Sequence, residues 1–397
     1  MTTTQPADVT VPVPVAKGRD RYFDLLRAIA LFRVVLYHLM GWAWLPVVFP
    51  SMGVMFALAG NLMARSLAKG RAPTVVRGRL RRLLPPLWLL GAVGVTGMLA
   101  AGWGPDDDGH PGWWWLHLTF WILPLSDPPF DENVPGVHGL ITEGWAVDLG
   151  VPIWYLRAYL WFVLLSPLLL RALRAAPWPT VLAPLALSAV LETGAVAVPG
   201  WRLEAGLSDF GTFGACWLLG MAHQEGVLRR LPRYVVPSLA PAVAGTGLWY
   251  ALGHGFREGH DLDDMPFAQS LWSFAAVLLL LHLSPSWSEW PGPLRRLDRL
   301  VTLLNARAVT IYLWHNVCID VVEALWDRLW GIVWLEEHAT WLLNSSWPQL
   351  PAVWLLTALC VVCFGWVEDL AAGRRPRLWP DRSRTLAQNL SPGSRRR

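Results

Sequence analysis

The strongest constraint on this sequence is a succession of apolar runs, most of them about as long as a lipid bilayer is thick. A helix needs about 20 predominantly apolar residues to cross the hydrocarbon layer. Runs of that kind fall near residues 23–43, 46–64, 83–101, 152–170, 180–198, 209–223, 235–252, 268–283, 308–328 and 350–367, with those at 209–223 and 268–283 on the short side. Broadly apolar residues make up 54% of the 397, and charged ones only 16%, against roughly 25% in a soluble chain. The expected fold is therefore all-α: a polytopic integral membrane protein with about ten transmembrane helices. The 27 tryptophans suit anchoring at the two membrane–water interfaces. One more apolar run, WWWLHLTFWILPL at 113–125, is too short to cross and is expected to be re-entrant or interfacial.

Charge placement orients these segments. Lys69, Arg71, Arg77, Arg79, Arg81 and Arg82 lie between the second and third runs. Arg171 and Arg174 follow the fourth, Arg229, Arg230 and Arg233 the sixth, Arg295, Arg296, Arg299 and Arg307 the eighth, and Arg374, Arg375 and Arg377 the tenth. The opposite loops carry Asp106 to Asp108, Asp131, Glu132, Asp261, Asp263 and Asp264. Basic loops stay on the cytoplasmic side, so both termini of this multi-pass cell-membrane protein are expected in the cytoplasm. The net charge of +4 is dealt out between spans, which excludes nucleic acid as its partner and leaves membrane lipids. The expected organisation is a disordered cytoplasmic N-terminus over 1–20 without a cleavable signal, a transmembrane unit over 21–370, and a basic cytoplasmic tail over 371–397. Cys216, Cys318, Cys360 and Cys363 all sit in apolar segments and are expected to be buried small hydrophobes. The loop FREGHDLDDMP, 256–266, matches no metal-ligand spacing, so no metal is expected.

The first apolar run contains polar residues that need a reason. Arg27 and His38 are eleven positions apart, which places them about 20° apart on one helix face and roughly 16 Å apart along the axis. A charge facing lipid is costly, so that face is expected to look into the protein. Arg33 lies between them on another face and needs its own partner or a water-filled cavity. Asp24, three residues before Arg27, is placed to pair with it. A salt bridge and a packing histidine would account for such residues. So would catalysis or transport, since intramembrane ionisable groups mark functional sites and imidazole is the usual proton acceptor near neutral pH.

The stretch RYFDLLRAIALFRVVLYHLMGW is similar to the first helix of the acyltransferase 3 family of integral membrane acyltransferases, where an arginine, ten residues and a histidine recur. Arg27 and His38 have that spacing. RGRLRRLLPPLW resembles the start of the family's third helix and supplies Arg79 and Arg82, then Pro85, Pro86 and Trp88. IWYLRAYLWFVLLSPLL, 153–169, resembles its tryptophan-rich middle helix, and VTIYLWHN, 309–316, a late segment that supplies Tyr312 and His315. The resemblance spans roughly 20–370. The sequence departs from the family in two places. Leu25 stands where many members have glycine, and TEGWAVDLG stands where some have WSLSVE, so that Glu143 and Asp148 are the nearest acidic residues.

The resemblance implies transfer of an acyl group from a cytoplasmic donor such as acyl-CoA to a hydroxyl. For this chain the expectation is a small group such as acetyl. The acceptor is a carbohydrate, a cell-envelope component or a secondary metabolite. Acyl-CoA would be a substrate, and no permanently bound cofactor is expected. His38 is the expected general base, and Arg27 the group that holds the donor or stabilises a polar path. Arg79 and Arg82 are three residues apart, so they can face one phosphate of CoA. Tyr312 shares a helix face with His315, and the two are expected to orient donor or acceptor. One or other of Glu143 and Asp148 is expected to orient His38. A transporter or flippase of a polar or lipid-linked substrate is the alternative, because it too needs intramembrane arginine and histidine around a cavity.

Overall fold

The apolar runs are helical in the computed structural model, which describes residues 20–105, 111–137 and 140–377. The N-terminal expectation for 1–20, apart from residue 20, and that for the tail from 378 onward lie outside the described residues. Each expected span falls on a helix: α1 Arg21–Met40, α2 Ser51–Leu67, α3 Ala72–Ala100, α4 Ile153–Ala175, α5 Pro177–Glu192, α6 Trp201–Gln224, α7 Val235–Gly253, α8 Pro266–His282, α9 Ala308–Asp327 and α10 Gln349–Phe364. Among the described residues there is no strand, only an isolated bridge between Val137 and Ile141.

Five helical stretches are long and apolar enough to cross a membrane: Leu45–Leu67, Ala72–Ala100, Trp145–Ala175, Val235–Gly253 and Ala308–Gly331. The other helices fall short for definite reasons. Helix α1 carries Arg21, Asp24, Arg27 and Arg33, and α6 carries Arg202, Glu204 and Asp209. Helices α5, α8 and α10 have 16 or 17 residues, or roughly 24–26 Å of helix against about 30 Å of hydrocarbon.

Polar and glycine signals set several helix ends. Asp20 caps α1, its carboxylate accepting the Tyr22 N–H at 3.0 Å, and Gly41 closes it in the left-handed region at φ 62°. Helix α3 begins eleven residues before the expected span, so Arg77, Arg79, Arg81 and Arg82 stand on the helix and not in a loop. Pro85 and Pro86 do not mark the helix entry; they lie inside it. Lacking N–H groups, they cannot bond the carbonyls of Arg81 and Arg82 four residues earlier, which leaves backbone acceptors at the level of those arginines. The run at 113–125 forms no spanning helix. It breaks into Pro111–Trp113, Trp114–Leu118 and Thr119–Trp121. It lies against α3, where Trp88 Nε1 donates to the Ile122 carbonyl at 2.7 Å.

The core centres on α2 and α6, and small residues let their backbones approach. A Cβ on Gly60 would come within 2.1 Å of the Trp217 carbonyl oxygen, and one on Gly220 within 1.8 Å of that of Ala57. Helices α1, α4 and α8 pack around this pair, and α9 packs against α1, α3 and α10. The start of α9 is clamped from the chain beyond α10. Glu368 accepts the Thr310 N–H and hydroxyl, each at 2.5 Å. The fully buried Arg307 donates to Asp369 and to the Gly365 carbonyl, each at 2.7 Å. The cysteine expectation holds in part: Cys216 and Cys318 are buried, but Cys360 is half-buried and Cys363 exposed.

Candidate active site

Two cavities approach each other inside this bundle. The first, of about 310 Å³, is lined by His38, Arg33 and Tyr37 from α1, by Asp209 from α6, and by Asp263 and Gln269 from the loop before α8 and from α8 itself. His38 is an exposed residue on this lining. Its ring centroid lies 5.1 Å from that of His315 on α9, which is almost fully buried. His315 Nδ1 lies 2.6 Å from the Tyr312 carbonyl oxygen. A carbonyl can only accept, so Nδ1 carries the proton and the neutral ring has a bare Nε2, which has no partner.

The second cavity, of about 280 Å³, is lined by Arg27, Arg79 and Arg82 at one end and by Tyr155, Tyr159 and Tyr312 further in. Arg27 Nη1 donates to Asn305 at 3.5 Å, and Asn305 in turn donates to the Asp24 carbonyl at 2.8 Å. Arg79 Nη2 donates to the Leu62 carbonyl and the Ser66 hydroxyl, each at 3.1 Å. Arg27 also borders a third cavity of about 460 Å³, whose other basic residues are Arg65, Lys69 and Arg229. Arg27, Arg79, Arg82 and Tyr312 are thus brought together, and so are His38, His315 and Tyr312. Arg27 and His38, aligned on one helix, open into different cavities. Asp24 is reached by Arg21 at 3.6 Å.

The two acidic expectations sit elsewhere. Glu143 is exposed. Asp148 lies in the short helix Trp145–Gly150, which packs against α9, and it interacts electrostatically with Asp320. Neither lines the cavity of His38. The carboxylates that do are Asp209 and Asp263. Asp209 is gripped by Arg157 through Nε at 3.1 Å and Nη2 at 2.7 Å. Asp263 accepts from Gln269 Nε2 at 2.5 Å, and burial pushes its carboxyl above the usual carboxylate range. Asp261 accepts the Tyr37 hydroxyl and the Asp263 N–H. Arg33 is 7% exposed, stacks over the Tyr37 ring at 4.7 Å, and leaves Nε and Nη2 without partners.

Several of these residues could not be found by helix spacing. Arg33 was visible as an intramembrane charge, but not as a neighbour of His38 and Asp263. Asp209 and the Asp263–Gln269 pair come from two distant places in the chain, and no local pattern joins either to His38.

Chemically, the first cavity offers an accessible imidazole beside a second imidazole of fixed tautomer, with hydrogen-bonding groups around them. The second offers arginines at one end and aromatic walls further in. That combination suits an anionic donor on one side and a hydroxyl-bearing acceptor on the other. Among the described residues no group of histidine, cysteine, aspartate and glutamate has the arrangement of a metal site. The sequence pattern described as an acyltransferase domain matches residues 20–367, nearly the whole chain. No curated protein and no solved structure matches.

Proposed function

Because the chain belongs to the acyltransferase 3 family, and so is a membrane acyltransferase in general, we propose that it moves a small acyl group, such as acetyl, from cytoplasmic acyl-CoA to a hydroxyl. The acceptor is a carbohydrate, a cell-envelope component or a secondary metabolite, bound in the cavity of His38. The ten long helices all cross the cell membrane in this reading, the shorter ones by local thinning of the bilayer. Both termini then face the cytoplasm.

One observation carries the reading: His38 and the arginines Arg27, Arg79 and Arg82 line two separate cavities that share Tyr312. The arginines hold the phosphates of CoA. His38 takes the acceptor's proton as its oxygen attacks the thioester carbonyl, and returns a proton to the departing thiolate. His315 sets the depth and orientation of the His38 ring. The partitioned cavities also suit a transporter, which would show substrate flux into vesicles without loss of acyl-CoA.

The test is His38→Gln. Glutamine keeps hydrogen bonding but cannot serve as the base. Its initial rate, with expression and acyl-CoA binding near normal, should fall roughly 10²–10⁴-fold, the usual worth of positioned proton transfer. Activity within about threefold of wild type, well short of that loss, would return His38 to a packing role.

A further inference from the structure

Tyr312 is the residue that lines both the His38 cavity and the arginine cavity among the described residues. It does not stand alone. Its ring centroid lies 5.0 Å from that of Tyr155 on α4 and 5.7 Å from that of His315. Tyr155 is held in turn by Phe56 at 4.7 Å, and by Tyr159 and Trp154, each at 6.2 Å. The two tyrosines are 5% and 8% exposed. Rings packed on several sides cannot swing aside without opening a void.

We propose that the Tyr155–Tyr312 pair is the partition between the donor cavity and the His38 cavity, and that it limits the length of acyl group the protein can transfer. The length limit rests on the reading of the chain as an acyl-CoA-dependent transferase. A donor anchored by its phosphates at Arg79 and Arg82 approaches from the arginine end. Its thioester must advance past the Tyr312 ring to meet an oxygen bound at His38. The passage beside that ring is narrow, because Tyr312 is packed between Tyr155 at 5.0 Å and His315 at 5.7 Å. An acetyl group adds one methyl to the advancing end and fits. A hexanoyl chain must either fold back against the two rings or displace them. Each methylene that a rigid apolar wall refuses is worth about 10-fold or more in selectivity. Truncating Tyr312 removes the wall that the two cavities share, and truncating Tyr155 removes the ring that backs it, so either change lets the cavities run together.

The experiment measures release of free CoA thiol from acetyl-CoA and hexanoyl-CoA, in native membranes that hold the natural acceptor. The full-length protein is supplied as wild type, Tyr312→Ala, Tyr155→Ala, Tyr312→Phe and Tyr155→Phe. The hexanoyl-to-acetyl ratio of kcat/KM should rise roughly tenfold or more in the alanine variants. It should stay within about twofold in the phenylalanine variants, which keep the rings and so keep the discrimination. An unchanged ratio in folded alanine variants overturns the length limit. A second measurement tests the partition without any transfer. Met52 lines the His38 cavity, and Met52→Cys in a background without native cysteines reports access to it. A membrane-impermeant thiol reagent applied from the cytoplasmic side should modify that cysteine when Tyr312 is alanine and not when it is tyrosine. Equal modification in both overturns the partition. Absence of CoA release from any acyl-CoA by the wild type would sink the transferase reading and the length limit, while the labelling result still decides the partition.

Discussion

Arg82 differs from Arg79 in how much of its side chain is already engaged. Arg79 is tied to the Leu62 carbonyl and to Ser66, so replacing it disturbs the α2–α3 contact as well as any donor. Arg82 has no hydrogen bond of that kind and lines the same cavity, which makes it the cleaner probe. Arg82→Gln should raise the KM for acyl-CoA about tenfold or more, the worth of a charge-assisted hydrogen bond, with a smaller effect on kcat. Arg82→Lys should recover only part of it, because lysine lacks the planar fork. An unchanged KM in Arg82→Gln would leave the residue as a topology signal alone. Residues of this kind were legible in the sequence because each belongs to one helix and carries a short-range signature: eleven positions from Arg27 to His38, three from Arg79 to Arg82, three from Tyr312 to His315. The carboxylates that share the cavity of His38 were not. Glu143 and Asp148 stand near the right place in the chain, yet the fold turns Asp148 toward Asp320 and leaves Glu143 exposed. Asp263 reaches the cavity from a loop more than 200 positions away, a distance no periodicity can span.

Helix contacts explain how these residues stay in place. The α2–α6 pair depends on glycine at the points of closest approach, where the neighbour is backbone and cannot rotate away. Gly220→Ala should therefore cost about 1–3 kcal/mol or more, the usual price of overpacking. It should lower the unfolding temperature of the purified protein in detergent. Gly245→Ala on α7 is the control, since nothing lies within 4 Å of its added Cβ, and it should be neutral or slightly stabilising. Equal melting of the two variants would remove the close-approach argument. The sequence showed that these segments are helical, because apolar runs of that length have few other fates in lipid. It did not show where α3 begins. A cluster of arginines followed by two prolines reads as a loop and a helix start, but a helix tolerates proline where other groups meet the freed carbonyls. The clamp on the start of α9 was also hidden, because Glu368 and Arg307 are 61 positions apart.

Across the whole molecule, the alternation of basic and acidic connections predicts an orientation that can be checked directly. Thr74 and Glu258 are both exposed, at opposite ends of the proposed topology. Leu262 in the same acidic loop is buried and would report poorly. In intact cells, with the native cysteines replaced, a thiol reagent that cannot cross the membrane should modify Glu258→Cys and spare Thr74→Cys. The reverse pattern would invert the protein. That orientation gives the Tyr155–Tyr312 partition an electrical meaning. In the proposed topology, water filling the two cavities would bring each aqueous phase into the bundle and make the insulating layer between them thinner than the bilayer. Moving one elementary charge through 100 mV is worth about 2.3 kcal/mol, and most of that drop then falls across two aromatic rings. A hole at Tyr312 would be an ion leak as well as a loss of selectivity. In the proposed reaction the CoA thiolate leaves through the same partition, so its negative charge would cross that focused field and couple its release to the membrane potential.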